Sequence, residues 1–463
     1  MKKPRICALI LVAILLFLFS SQDFAQSGVH PPQASAQMKP TDARSAKELY
    51  EEAQSYARKK FDGFARANVP YDPQLAEKTL QEQRDLAARY AADIAARSNL
   101  TADDYYYLAS LYLLTNDLAN NSDKTLDALR HYLAAQPSGA NVNATRAQSA
   151  RATTIMIASQ SGRLDEAEQV RADYLKNSPQ EKTHRFRFEI SLAKAYQKAK
   201  RLDQALDHAL QAFDAIKFLQ AESHPKSVQD RVRLDNETID VAATISGLYV
   251  EMKRPDEAAR TLEEVRQLAL MIPSGNLYRL TRRQFANTGR KIDEGANVTN
   301  HNIYAPEISA IEWIDQKPVK LADLRGQVVL LDFWAHWCGP CIQTFPKLAS
   351  WHEKYKDKGL TILGMTHYYG RGGGRNLTPA EELDYLREFK KKYRLPYGIA
   401  VANTDANDLH YAVSSIPTSF LIDRRGVVRL ITVSSSPQEA EALEAMIKKL
   451  LAEPVSGAAA NNK

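Results

Sequence analysis

Cysteine is scarce in this chain, with three in 463 residues, at positions 7, 338 and 341. That excludes a disulfide framework. It also excludes a four-cysteine zinc site, since Cys7 lies alone in an N-terminal apolar segment. Charge of one sign is lacking too. Lys and Arg number 61 against 55 Asp and Glu, a net charge of +6. The signs interleave, as in Arg254-Pro255-Asp256-Glu257, where nucleic-acid binding calls for a one-sided basic patch, so no nucleic-acid partner is expected. The long apolar run Ile6–Phe19 has fourteen residues, short of the roughly 20 that span a bilayer. What is present is 44% hydrophobic residues, enough for packed cores, and a length that implies two or three domains.

The apolar run follows Lys2, Lys3 and Arg5 and precedes small and polar residues at Ser20–Ser27. This pattern reads residues 1–27 as a signal peptide that sends the chain to the periplasm or cell envelope; left uncleaved, the segment would serve as an anchor. Cleavage would leave Cys338 and Cys341 as the only thiols. Residues 28–42, with His30-Pro31-Pro32, read as a disordered spacer.

From 43 to 295 the chain is rich in Ala, Leu, Glu, Lys, Arg and Gln, with few Gly or Pro, and reads as all-α. A phrase recurs in it: Gly162-Arg163-Leu164-Asp165-Glu166-Ala167, Lys200-Arg201-Leu202-Asp203-Gln204-Ala205 and Lys253-Arg254-Pro255-Asp256-Glu257-Ala258. Each copy follows one helical segment and opens another, with acids at the positive helix end. The pattern resembles a degenerate tetratricopeptide repeat, whose unit is about 34 residues, although these copies stand 38 and 53 apart. A plain helical bundle is the alternative. Tyr105, Tyr106, Tyr107 and Tyr112 read as packing residues. The domain offers a surface for protein docking, or a spacer, and no chemistry.

The pattern changes near residue 300. Asn297–Ala305 is a polar linker, and Ile308–Ile314 and Val319–Leu321 are short β-type segments. Val328–Trp334 is apolar at nearly every position, as a central strand is, and Leu360–Gly364 is a second buried strand. A glycine-rich surface loop, Gly370–Arg375, lacks the Lys and Ser/Thr of a phosphate cradle. Thr378-Pro379-Ala380-Glu381 is a capping box, Ser419–Ile422 and Val427–Ile431 form a hairpin, and a last helix covers about 437–451. The expected order is β-α-β-α-β-β-α over 304–452, with a disordered tail at 453–463.

Between the first long strand and its helix stands Trp337-Cys338-Gly339-Pro340-Cys341. Pro340 suits a first helical turn, and two thiols one turn apart can pass a disulfide between them. With the lead-in Leu321–Gly326, the string Phe333–Cys341 and Ser415-Ile416-Pro417-Thr418, residues 304–452 resemble the thioredoxin fold, specifically the TlpA/ResA-type exported thiol-disulfide oxidoreductases. That resemblance implies a multidomain chain, an all-α helical-repeat domain followed by an α/β thioredoxin fold. It makes Cys338 the attacking thiol, its pKa lowered from about 8.5 towards about 7 at a helix N-terminus, and Cys341 the resolving thiol. Asp332, six residues before Cys338, matches the buried acid of thioredoxin and would serve as acid and base. Pro417 matches the family's cis-proline, and Trp337, Gly339, Pro340 and Ile416 would line the client-binding surface.

The resemblance further implies disulfide-containing clients, re-reduction by a membrane electron donor, and no cofactor or metal. Many TlpA/ResA-type proteins carry Glu where Thr344 stands and no acid in the strand; in this respect the site is closer to thioredoxin and to a general reductant. The Gly-Pro interior is that of reducing thioredoxins, near about −270 mV. Trp334 reads as packing and His336 as an exposed histidine without a role, with tuning of the thiolate near neutral pH as the alternative. A peroxiredoxin-like site would need Thr and Pro where Ala335 and Leu331 stand, and a scaffold that only binds clients is the non-enzymatic alternative.

Overall fold

The structure is a computed structural model that describes residues 43–135, 144–290, 292 and 303–454. The segments read as a signal peptide (1–27) and a spacer (28–42), and all but two residues of the expected tail, lie outside these residues. The described residues form two compact units, divided between residues 195 and 196.

The first unit is helical, with α1 (Ala46–Arg66), α2 (Pro73–Ala95), α3 (Ala102–Leu114), α4 (Leu118–Ala134), α5 (Ala144–Gln160), α6 (Leu164–Lys176) and most of α7 (Lys182–Lys198). Consecutive helices pack as pairs, α1 on α2, α3 on α4 and α5 on α6. Tyr107 is buried, Tyr105 stacks on His131 at 4.6 Å and Tyr106 meets Tyr132 at 5.1 Å, so Tyr105, Tyr106 and Tyr107 pack as the sequence implies. The second unit opens with α8 (Leu202–Glu222), α9 (Val228–Glu251), α10 (Pro255–Met271) and α11 (Gly275–Phe285).

The recurring phrase has one backbone solution in all three copies. Its first residue takes a left-handed conformation, with φ 75° at Gly162, 60° at Lys200 and 61° at Lys253. The N–H of the next residue then reaches back to a carbonyl of the preceding helix, from Arg163 to Ala158, Arg201 to Tyr196 and Arg254 to Tyr249. This closes one helix and opens the next across three residues. The final alanines, Ala167, Ala205 and Ala258, are fully buried, which lets paired helices approach closely. A further turn, with Asn116 at φ 55° and Asp117 capping α4, has the same backbone form without the phrase.

The rest of the second unit is a mixed six-stranded sheet. Its strands are β1 (Glu312–Ile314), β2 (Val328–Phe333), β3 (Leu360–His367), β6 (Gly398–Ala402), β7 (Thr418–Ile422) and β8 (Val428–Thr432), in the order β1-β6-β3-β2-β7-β8. A separate hairpin joins β4 (Arg371–Gly372) to β5 (Arg375–Asn376). The helices are α12 (Gly339–Tyr355), α13 (Pro379–Lys392), the short α14 (Ala406–His410) and α15 (Pro437–Ala452). Central β2 is buried at every position, parallel to β3 and antiparallel to β7. A parallel neighbour needs a crossover, and α12 supplies it while packing on β3; α15 covers β2 and β8.

Several expectations change in detail. Leu321 opens a 3-10 turn, Leu321–Leu324, with no strand at 319–321, and only Glu312–Ile314 of the 308–314 segment pairs, with β6. Strand β6 was absent from the expected order. Its sequence, Gly-Ile-Ala-Val-Ala, is too short to show a period, and only its pairing with β1 and β3 defines it. The glycine-rich loop is the β4–β5 hairpin. Its base is fastened by buried Glu382, whose carboxylate accepts the N–H groups of Tyr369 at 2.9 Å and Gly370 at 2.8 Å.

Candidate active site

The site lies where β2 ends and α12 begins. Cys338 is the N-cap of α12 and is joined by a disulfide to Cys341, one turn in, with Cα atoms 5.3 Å apart. The Cys341 N–H is directed at Cys338 Sγ at 3.2 Å. Any negative charge on that sulfur therefore meets an unsatisfied helix donor and the positive helix end. Gly339 and Pro340 are exposed, and Trp337 is 49% exposed beside the pair, while Cys338 is 5% and Cys341 0% exposed. Of the two sulfurs, the N-terminal one is the more open to attack.

Asp332 lies in β2, opposite Gly364 of β3 and Ser419 of β7. It is buried, and Ser419 Oγ donates to its Oδ1 at 2.7 Å; Oδ2 has no hydrogen-bond partner among the described residues. Burial pushes its pKa up to about 7, opposed only in part by the Ser419 bond. A cavity of about 200 Å³ reaches it, with buried Asp332 and Ser419 on one side and exposed Gln343, Lys347 and Ser434 on the other. Pro417 and Thr344 line the same cavity.

The Ile416–Pro417 peptide is cis, at the head of β7. Ile416 lines a second cavity of about 230 Å³ with Trp337, Tyr369, Met365, His367 and Asp408. Trp334 is buried, stacked on Phe389 at 5.3 Å and edge-on to Phe345 at 5.4 Å, which accords with a packing role.

The reading of His336 as exposed is corrected, since it is 8% exposed and its Nε2 lies 3.8 Å from a Glu382 oxygen. Its ring meets Tyr385 edge-on at 5.1 Å and Tyr369 at 6.0 Å. Burial holds its pKa below the ordinary histidine value, countered in part by Glu382. The reason is the β4–β5 insertion, which folds over the residue before Trp337, and Arg371 from that hairpin stands over the Trp337 ring at 5.7 Å. Tyr369, His367 paired with Asp408 at 3.3 Å, and Ser419 carried no local sequence signal. Ser419 is named only by its register opposite Asp332.

A family model described as AhpC/TSA family matches residues 304–431. The chain is 32% identical over 138 residues to the thiol-disulfide oxidoreductase ResA of Bacillus thuringiensis subsp. konkukian, covering 30% of this chain and 71% of that protein. The chain belongs to the ResA family of thiol-disulfide oxidoreductases. ResA of Bacillus subtilis is 31% identical over 143 residues, 68% of its length. Protein DipZ of Mycobacterium bovis is 30% identical over 154 residues, 32% of this chain and 20% of that one. Among solved structures, a protein titled as a putative thiol:disulfide interchange protein DsbE from Chlorobium tepidum is 36% identical, covering 32% of this chain and 95% of that one, with a TM-score of 0.27. The ResA likeness thus concerns about a third of the chain, a thioredoxin fold that follows a helical region.

Proposed function

We propose that this chain is an exported reductase or isomerase of protein disulfides that works through a dithiol cycle of Cys338 and Cys341. In the reduced protein the Cys338 thiolate attacks one sulfur of a client disulfide, forming a mixed disulfide and releasing the other client sulfur as a thiolate, which takes up a proton. Cys341 gives its proton to Asp332 and attacks Cys338, closing the ring and releasing the second client thiol. Asp332 then passes the proton to water through the cavity beneath it. Two electrons leave the protein in each cycle, and a membrane electron donor returns them.

The observation that carries this reading is the sulfur pair at the mouth of α12, backed by a buried, half-satisfied carboxyl. The cavity that Ile416 and Trp337 line together supports a client chain paired along Ile416, with Trp337, Gly339 and Pro340 at its other side. Export rests on the 1–27 segment; among the described residues no helix is long and apolar enough to cross a membrane. The helix–turn–helix units of the first unit would dock a partner protein, as tetratricopeptide arrays do. Expressing Cys341→Ser in the native host, with affinity capture of the mixed disulfides, tests the cycle. Reducible covalent adducts are expected with Cys341→Ser and none with Cys338→Ser. Insulin reduction undiminished in Cys338→Ser would establish the client-binding scaffold in its place.

A further inference from the structure

The loop that carries Ile416 and Pro417 is held from outside the sheet. At the turn between α10 and α11, the Gly275 N–H donates to the Tyr411 carbonyl and the Asn276 N–H to the Ala412 carbonyl, both at 3.0 Å. Ser414 Oγ donates to Asn276 Oδ1 at 2.9 Å. A Cβ at position 275 would stand 3.1 Å from Thr418 Cγ2 and 3.5 Å from the Ala412 oxygen, so glycine lets the turn reach the residue after Pro417. Ala412 has φ 45°, a left-handed form that a residue with a side chain keeps only where its surroundings fix it.

Behind this turn lies Asp235 of α9, fully buried and remote from the sulfurs in sequence. It accepts from Ser274 Oγ at 2.7 Å, from Asn276 Nδ2 at 3.4 Å and from Gln220 Nε2 of α8 at 3.2 Å. A buried acid is costly, and this one is satisfied by groups that lead to the loop. Gln220, Asp235, Asn276 and Ser414 thus form one hydrogen-bonded path from α8 to the edge beside the cis-proline. The arrangement is unlike a generic helix-on-sheet contact, because it is polar, buried from Gln220 to Asn276, and reaches two backbone carbonyls of that loop.

We propose that Asn276, anchored by Asp235 and joined to Ser414, is a positioning residue that holds the Ile416–Pro417 edge ready for an extended client chain. The proposal rests on the reading that clients pair along Ile416 while Cys338 attacks. The helices nearest the sheet then act as part of the client site, since an edge already ordered in the free protein loses less freedom when a client binds. Small thiols need no such edge and are indifferent to it.

The test compares the full chain with Asn276→Ala, Ser414→Ala and the double variant, using insulin as client and dithiothreitol as electron donor. Ser414→Ala is expected to raise the insulin KM about fivefold, the size of one neutral hydrogen bond, and Asn276→Ala, which also removes the bonds to Asp235 and Arg279, at least as far, with kcat unchanged in both. The glutathione equilibrium of the Cys338–Cys341 pair is expected to stay where it is. The double variant is expected to be no worse than Asn276→Ala, because that change already removes the Ser414 bond. An unchanged KM in Ser414→Ala overturns the proposal, as does a double variant whose effects multiply. A shifted glutathione equilibrium overturns it too, because the contact would then act on the sulfurs. Ser414 is exposed, so its variant decides the matter even where Asn276→Ala fails to fold. A Cys338→Ser protein that still reduces insulin would instead overturn the dithiol cycle, whatever the loop variants do.

Discussion

Asn in place of Asp332 is expected to make the oxidised protein more stable at pH 8 while slowing disulfide exchange. The folded carboxyl has its pKa pushed up to about 7, against 3.8 for a free aspartate. Below about pH 4 both folded and unfolded chains hold the proton, and the group adds no pH dependence. Between about pH 4 and about pH 7 the unfolded chain ionises while the folded one does not, so wild-type stability falls as pH rises. Above about pH 7 the loss is constant, about three pKa units at 1.36 kcal/mol each, or about 4 kcal/mol. Asparagine keeps the shape and can still accept from Ser419 Oγ, yet never ionises. The variant's advantage should therefore be near zero at pH 4, grow to about 4 kcal/mol by pH 7 and then level off. All four tryptophans lie from 313 to 351, so their fluorescence during urea unfolding follows the unit that holds Asp332. Insulin turnover in the same variant should fall, because Cys341 loses its proton acceptor. A stability difference that stays flat from pH 4 to pH 8 would refute the assignment of a protonated, desolvated Asp332.

Three further outcomes are expected. Gly364→Ala would bring a Cβ to 2.8 Å from Trp334 Nε1 and 3.4 Å from Ile399, which costs about 1–3 kcal/mol by overpacking and lowers the tryptophan-monitored urea midpoint; an unchanged midpoint would show that Trp334 moves freely. Glu382→Ala leaves the Tyr369 and Gly370 N–H groups without their acceptor, about 1–3 kcal/mol of lost local stability, and should speed tryptic cleavage after Arg371 and Arg375. Cleavage at the wild-type rate would show that the hairpin needs no such fastening. Gly275→Ala, which crowds Thr418, should raise the insulin KM without changing the reaction of the disulfide with dithiothreitol; equal effects on both would argue for a general loss of fold.

Features written within a few residues of sequence could be read directly. The apolar run 328–334 marked the central strand, the spacing of Cys338 and Cys341 marked the redox pair, and the phrase at 162, 200 and 253 marked helix turns that share one left-handed residue. The phrase could be read because a tight turn restricts its own residues. The turn at Asn116 escaped notice because asparagine also adopts that backbone and no second copy follows its wording. Strand β6 and the burial of His336 depend on partners 30 to 90 residues away, β1 and β3 for one and the β4–β5 hairpin with Glu382 for the other. No local period records such pairings.

A boundary near residue 300 follows from composition, since Ala- and Leu-rich helices give way to β-branched strands. Compactness divides the chain elsewhere, at 195, and leaves α8–α11 in the unit that holds the sulfurs. Composition reports which backbone a segment adopts; compactness reports what it packs against, and a helix is free to pack on a sheet. Asp235 illustrates the difference, because in sequence it is one more acid on a charged helix. In the fold it is a fully buried carboxylate whose Ser274 and Asn276 partners sit against the loop before Pro417. A fragment begun at residue 304 would keep Cys338, Cys341 and Asp332 and lose every bond that Gly275 and Asn276 make to residues 411–414. Such a fragment is expected to react with dithiothreitol as the full chain does and to reduce insulin with a KM raised at least as far as in Asn276→Ala. Equal insulin kinetics in fragment and full chain would mean that the helices serve a partner elsewhere and leave the client edge to the sheet alone.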